Sequence, residues 1–240
     1  MNREKGVFEQ LKTVLFWDID GTLLNTKGAG RSAMEAAIAD LIGDRTDLSA
    51  LNMAGLTDWD ICSRILEKCN LEPTAENIEQ LEKLYIKHLP EMLLRCPGYV
   101  LGGVREILEN LQQRTDVLSL VLTGNMEAGG RAKLAHYGLD SYFPLGAFSR
   151  RSRERVEIAQ RAMILAEQQL GKLTPDRLYV IGDTPHDVRC GQAIGARAIA
   201  IASGHHGAEE LRDCGSWWVW DALPHPQQFL ETVGLRETID

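Results

Sequence analysis

The sequence predicts a doubly wound α/β fold, a parallel sheet flanked by helices, with a helical domain inserted after the first strand. Three observations predict it. Short, mostly apolar runs at Val14–Trp17, Val117–Leu122, Leu178–Gly182 and Ala198–Ile201 lack polar alternation, the pattern of strands buried on both faces. From Val104 onward these runs alternate with helical stretches, as parallel crossover connections require. From Arg31 to about Leu94, by contrast, the spacing is helical and no good strand occurs.

The elements follow in order. Val14–Trp17 leads into Asp18-Ile19-Asp20-Gly21-Thr22-Leu23-Leu24. A buried strand carries two carboxylates only at its end, and in open α/β sheets the carboxyl ends of the strands are where ligands bind. Asn25 to Gly30 is polar and glycine-rich, a hinge. Helices are expected over Arg31–Ile42, stopped by Gly43, then Asp58–Cys69 and Glu76–Leu94, with Pro73 and Pro90 as punctuation. The expected division is a core of residues 1–25 and 97–240, and an inserted helical domain of residues 26–96. Pro97-Gly98 marks the return. Val104, Ile107, Leu108 and Leu111 have helical spacing, and the strand at 117–122 ends in Thr123-Gly124-Asn125. A helix over Glu127–Tyr137 stops at Gly138, and Leu145–Phe148 reads as a short strand. The arginine-rich run Ser149–Arg155 opens a helix to about Leu170. The strand at 178–182 ends at Asp183, and Pro185 sits in the first turn of a helix closed by Gly195. Ala198–Ile201 and the shorter Trp217–Trp220 complete the sheet.

With 44% hydrophobic and 25% charged residues and a net charge of -8, the 240-residue chain has ordinary globular composition. The acidic balance argues against nucleic acid and anionic membrane surfaces as partners. Bound phosphate therefore needs a local cation. The five scattered cysteines form no CxxC pair and read as reduced thiols. The polar stretch Met1–Lys12 lacks a signal-peptide core, and no apolar run reaches membrane-spanning length. The chain reads as cytoplasmic.

Three strand ends carry the chemistry: Asp18 and Asp20, Thr123 and Asn125, Asp183 and Asp187. A parallel sheet brings all three to one edge. Crowded carboxylates repel unless a cation is present, and oxygen-only ligands suit Mg²⁺. Asp18 is placed to act as nucleophile at phosphorus, and Asp20 to protonate the leaving oxygen and then deprotonate water. Thr123 would hydrogen-bond the phosphate. In the insert, Gly55-Leu56-Thr57-Asp58 interrupts the helical pattern and reads as a loop facing the active site, with Thr57 toward the substrate, or as an N-cap at Thr57 or Asp58.

Asp18-Ile19-Asp20-Gly21-Thr22-Leu23 resembles the first motif of the haloacid dehalogenase-like hydrolase superfamily. Thr123-Gly124-Asn125 resembles its second motif, Gly182-Asp183-Thr184-Pro185-His186-Asp187 its fourth, and the helical insert its C1 cap. The overall plan is similar to that of phosphoglycolate phosphatase-like members. The resemblance implies Asp18 as nucleophile and Mg²⁺ ligand, and Asp20 as acid/base that gives Mg²⁺ its backbone carbonyl. It implies Asp183 as a direct ligand, with Asp187 as ligand or as a partner behind it. Thr123, Gly124 and Asn125 would hold phosphate. The second aspartate is absent from the dehalogenases, so Asp20 points to phosphate chemistry. One motif departs: the usual third-motif lysine has no good match, since Lys133 falls inside a helix and Lys172 in a loop. Of Arg150, Arg151, Arg153 and Arg155 in the expected region, Arg153 is favoured, then Arg155.

The function so implied is Mg²⁺-dependent hydrolysis of a small phosphorylated metabolite, phosphoglycolate or a sugar phosphate, through an aspartyl-phosphate. The alternatives are a phosphosugar mutase and a non-catalytic phosphate- or partner-binding protein. Monomer and homodimer are both compatible with the sequence.

Overall fold

A computed structural model describes residues 12–235. At its centre lies β1 (Thr13–Trp17), every residue of it buried. Its parallel neighbours are β4 (Val117–Met126) on one side and β6 (Leu178–Gly182) on the other. Beyond β4 lies β5 (Gly146–Ser149); beyond β6 lie β7 (Arg197–Ile201) and β8 (Trp218–Trp220). The order β5-β4-β1-β6-β7-β8 is parallel throughout. The chain winds outward from β1 to β5, then returns to β6 and winds the other way. The crevice where the winding reverses lies at the carboxyl ends of β1, β4 and β6, the ligand-binding position of such sheets.

The two faces of β1 explain its apolar run. Val14 and Phe16 pack into one cluster with Ile158, Ala159, Ala162 and Ala166 of α6 (Arg155–Leu170) and Cys190 of α7 (Pro185–Ala193). Leu15 and Trp17 point the opposite way, onto α4 (Val104–Gln112) and α9 (Pro226–Thr232). Trp17 stacks on Phe229 with ring centroids 5.5 Å apart. A strand covered on both sides has no polar face, and this is why it reads as a continuous run.

The insert after β1 is helical: α1 (Ala29–Ile42), α2 (Asp58–Lys68) and α3 (Ala75–Arg95). It has its own apolar cluster, with Ala33, Ala37 and Ile38 of α1 against Leu81, Tyr85 and Leu89 of α3. Pro90 lies inside α3, which continues through it. The pattern did not reveal that the chain entering and leaving the cap pairs with itself. The two-residue strands β2 (Leu24–Asn25) and β3 (Tyr99–Val100) form an antiparallel clasp, too short to leave a period in the sequence. The short helix α8 (Ala208–Asp213) and α9 also lacked a sequence signal. Between β4 and α6, α5 (Glu127–His136) lies under the cap, in contact with α3. Among the described residues, no helix is long and apolar enough to cross a membrane.

Candidate active site

The β1 end supplies the first two carboxylates. Asp18 still donates its N–H to Ile181 O at 2.9 Å, so it is held in the ladder, and it is buried. The chain then turns. The N–H groups of Leu23 and Leu24 both bond Ile19 O, and Gly21 takes φ +81° in the turn. A side chain at Gly21 would be strained and would overlap the Asp183 carboxylate.

Asp18, Asp20, Thr123, Gly124, Asn125 and Asp183 all line one cavity of about 700 Å³ between core and cap. The three groups thus meet as expected, although Thr123–Asn125 lie within β4, which runs on to Met126 past a break in its register with β5, rather than after its end. The cap comes close at Gly124, where a Cβ would overlap the Leu56 carbonyl. Within the second motif, Thr123 Oγ1 accepts from Asn125 Nδ2 at 2.9 Å, and Asn125 Nδ2 also donates to Asp20 Oδ2 at 2.8 Å. Asn125 is thereby committed to positioning Asp20.

Asp18, Asp183 and Asp187 form a buried triad, with one carboxylate oxygen from each within 4.8 Å of the others. Burial, with Asp187 and Asp18 adding to it, pushes Asp183 up to about 9. Burial pushes Asp18 up to about 7; Arg155 opposes this, and Asp187 and Asp20 add to it. Such shifts mark a site short of positive charge. Asp183 Oδ1 accepts from Thr22 Oγ1 at 3.3 Å, while its Oδ2 has no hydrogen-bond partner among the described residues. A Cβ at Gly204 would overlap that Oδ2, so glycine keeps the space beside it clear. An all-oxygen buried cluster with an unpartnered carboxylate oxygen fits a hard divalent cation. Asp187 is more fully engaged. Its Oδ2 accepts from Thr184 N at 3.0 Å and Thr184 Oγ1 at 2.7 Å, and its Oδ1 accepts from Arg155. It stands behind the cavity rather than in its wall.

The arginine run divides in the order opposite to that expected from the sequence. Arg153, the favoured residue, is half exposed and reaches the cap, with Nη2 3.2 Å from Glu67 and Nη1 3.7 Å from Asp60. Arg155 is the one that enters the site. Its Nη2 donates to Asp187 Oδ1 at 2.5 Å and Asp18 Oδ1 at 3.2 Å, and its Nη1 to Gly55 O of the cap at 3.3 Å. The signal for this was present in the sequence: Arg155 heads the buried stripe Ile158, Ala159, Ala162, Ala166 of α6, so its direction was that of the core-facing side.

Lys133 also reaches the site, from α5, where Gly129, Gly130, Lys133 and Leu134 share the buried face. Its Nζ donates to Asp20 Oδ2 and Asn125 Oδ1, each at 2.6 Å. Burial opposes its charge, but Asp20, Tyr85 and Asp58 more than offset that. Thr57 turns away from the cavity. Its Oγ1 accepts from Asp60 N at 3.1 Å as the N-cap of α2 and donates to Ser152 O at 2.9 Å, and it does not line the cavity. Its neighbour Asp58 does line the cavity, along with Gly55, Leu56 and Tyr85 of the cap, and Asp58 Oδ2 accepts from Met126 N at 2.7 Å. Burial, with Lys133 opposing, brings Asp58 up to about 6.

Comparison with known proteins agrees with this geometry. The family model described as haloacid dehalogenase-like hydrolase matches residues 14–201. The chain is 30% identical over 207 residues to "Probable phosphatase IndB" of Dickeya dadantii, covering 84% of this chain and 86% of that protein. Among solved structures, a predicted phosphoglycolate phosphatase from Haemophilus somnus superposes with a TM-score of 0.68 at 17% identity, covering 93% of this chain and 98% of that one. CbbY from Rhodobacter sphaeroides in complex with phosphate superposes with a TM-score of 0.71 at 17% identity, covering 88% and 95%. Another structure of CbbY holds xylulose-(1,5)-bisphosphate. With the family model spanning every strand from β1 to β7 and the buried aspartate triad in place, the chain belongs to the haloacid dehalogenase-like hydrolases.

Proposed function

We propose that the protein is a Mg²⁺-dependent phosphatase that hydrolyses a small phosphate monoester through an aspartyl-phosphate on Asp18. The observation that carries this reading is the meeting of Asp18, Asp20 and Asp183 in one cavity, with the Arg155 guanidinium beside the nucleophile. The family relationship and the name of the Dickeya relative support phosphoryl chemistry with water as acceptor.

The residues divide the work as follows. Asp18 and Asp183 would hold the cation, with Asp187 and the Asp20 carbonyl beside them. When bound, Mg²⁺ offsets the charge of the carboxylates and of the phosphoryl oxygens. Arg155 donates to Asp18 and fixes the direction of its carboxylate, and its charge favours an incoming phosphate dianion. A carboxylate oxygen of Asp18 bonds to phosphorus as the bond from phosphorus to the ester oxygen breaks. Asp20 gives its proton to that departing oxygen. Asp20 then takes a proton from water, whose oxygen attacks phosphorus and releases Asp18 and inorganic phosphate. Thr123 and the neighbouring backbone would hold the phosphoryl oxygens. Closure of the cap over the cavity excludes water during the first transfer.

A cavity of about 700 Å³ accommodates a sugar phosphate as readily as the smaller phosphoglycolate. The sugar bisphosphate held by the CbbY fold supports the same class. The test is phosphate release from a panel of monoesters, with Mg²⁺ and with EDTA, for the native protein and Asp18→Asn. Mg²⁺-dependent release that disappears in the folded variant is the expected outcome. Retained hydrolysis in Asp18→Asn would remove the nucleophile assignment.

A further inference from the structure

Lys133 has no role in the reaction just described, yet it is among the most completely engaged side chains at the site. It is 5% exposed, although lysine is rarely buried without a partner. Its ammonium makes two short bonds, to Asp20 Oδ2 and Asn125 Oδ1. Asn125 closes the triangle by donating to the same Asp20 Oδ2. Both donors thus converge on one oxygen of Asp20. Its other oxygen, Oδ1, accepts no hydrogen bond among the described residues.

We infer that Lys133 is the positioning residue of the acid/base Asp20: with Asn125 it anchors Oδ2, fixes the carboxylate plane and reserves Oδ1 for proton exchange with the leaving oxygen and then with water. Unlike Asp18, Asp20 sits past the end of the ladder, in the turn at Gly21, and its side chain is 40% exposed. Such a carboxylate samples several rotamers unless it is tethered, and misplacement by about 1 Å can cost about a hundredfold in rate. Lys133 and Asn125 supply two tethers from α5 and β4, elements rigid against the sheet. Lys133 keeps its proton throughout and does not touch the phosphate.

The cap completes the arrangement. Tyr85 of α3 is buried beside Lys133, and a Cβ at Gly30 of α1 would lie 3.8 Å from both the Tyr85 hydroxyl and Lys133 Nζ. Asp58 of α2 accepts the N–H of Met126, the residue after Asn125. The cap therefore bears on both tethers.

This inference rests on Asp20 being the acid/base, and the test separates the two. Protonation of the leaving oxygen matters for an alkyl ester such as β-glycerol phosphate and little for p-nitrophenyl phosphate, whose leaving group departs unaided. Asp20→Asn, Lys133→Met and the double variant are assayed on both esters. Lys133→Met is expected to lower kcat/KM, which reports the first transfer to Asp18, at least tenfold more on the alkyl ester than on the aryl ester. The double variant should be no slower than Asp20→Asn alone, because Lys133 acts through Asp20. The double variant removes both members of the ion pair, so this second comparison stands even where Lys133→Met does not fold. Equal losses of kcat/KM on the two esters in Lys133→Met, or a further loss in the double variant, overturns the positioning role while Asp20 keeps its assignment. Absence of any leaving-group preference in the kcat/KM of Asp20→Asn overturns the acid/base reading itself, and the role of Lys133 with it.

Discussion

Replacing Arg155 and Arg153 one at a time by alanine tests which arginine serves the site, and the structure sets the size of each effect. The Arg155 side chain is 5% exposed and lies against Asp18 and Asp187, whose side chains are equally buried. Removing one member of such a cluster leaves buried carboxylates uncompensated, a cost of about 3–5 kcal/mol in the metal-free protein. For a domain of this size that corresponds to a fall in Tm of roughly 6–20 °C. The cost depends on pH. Asp18, pushed up to about 7, can take a proton at pH 6 and relieve the imbalance, so the loss should be larger at pH 9. The Arg153 side chain is 48% exposed, and exposed ion pairs contribute about 0.2–1 kcal/mol, reduced further by salt. Thermal unfolding in EDTA, followed by circular dichroism, measures this part. In Mg²⁺, Arg155→Ala should also lower phosphate release about 10²–10³-fold, the usual cost of removing one preorganised charge-stabilising donor. Arg153→Ala should leave release nearly unchanged. An Arg153 variant more damaged than the Arg155 variant in either measurement would refute the placement.

Three further outcomes are expected. Asp18 and Asp183 are raised to about 7 and about 9 from an ordinary 3.8, so the metal-free folded protein holds protons that the unfolded chain releases. These groups therefore lower stability progressively as pH rises from about 4 to about 9, and Mg²⁺ binding should reverse the loss; the Tm gain on adding Mg²⁺ should be larger at pH 8.5 than at pH 6, and an equal gain at both would contradict the assignment of the cation to this triad. Gly204→Ala places a Cβ over Asp183 Oδ2 and should weaken Mg²⁺ binding about 10–100-fold by calorimetry; unchanged affinity would place the cation elsewhere. Thr57→Ala removes the α2 N-cap and should cost about 1 kcal/mol in urea unfolding while KM for the phosphate ester stays put; a tenfold rise in KM would return Thr57 to the substrate.

Much of the site was legible because it lies at, or in the last few residues of, the strands. Val14–Trp17 announces a strand buried on both faces, and carboxylates directly after it can only lie at its exit. The same logic located Thr123 and Asp183. What misled was the arginine run: four arginines in six residues look alike in one dimension, and proximity to the expected motif position favoured Arg153. The helix that starts at Arg155 selects among them, since its stripe at 158, 159, 162 and 166 faces the sheet. Lys133 lies within a helix, a poor match to the third motif, yet it shares the buried face of Gly129, Gly130 and Leu134. A basic residue on an apolar stripe is a buried charge awaiting a partner, and that signal was readable without coordinates. For Asp58 the loop Gly55-Leu56-Thr57-Asp58 was legible as facing the site, but its contact was not. Its partner is the backbone N–H of Met126, sixty-eight residues away, and an acidic residue in the first turn of a helix is ordinary.

By itself, the sequence determined the strands, the direction in which their ends point and the acidic chemistry gathered there, because apolar periodicity and turn residues act over a few neighbouring positions. Only the tertiary structure decided which cations answer those acids and which cap residues close on them. That depends on the rotation of α5 and α6 about their axes and on the seating of the cap over the sheet, where Gly55, Leu56 and Asp58 meet Arg155, Gly124 and Met126. Contacts between residues far apart in the chain are selected by packing, and packing leaves no local period to read.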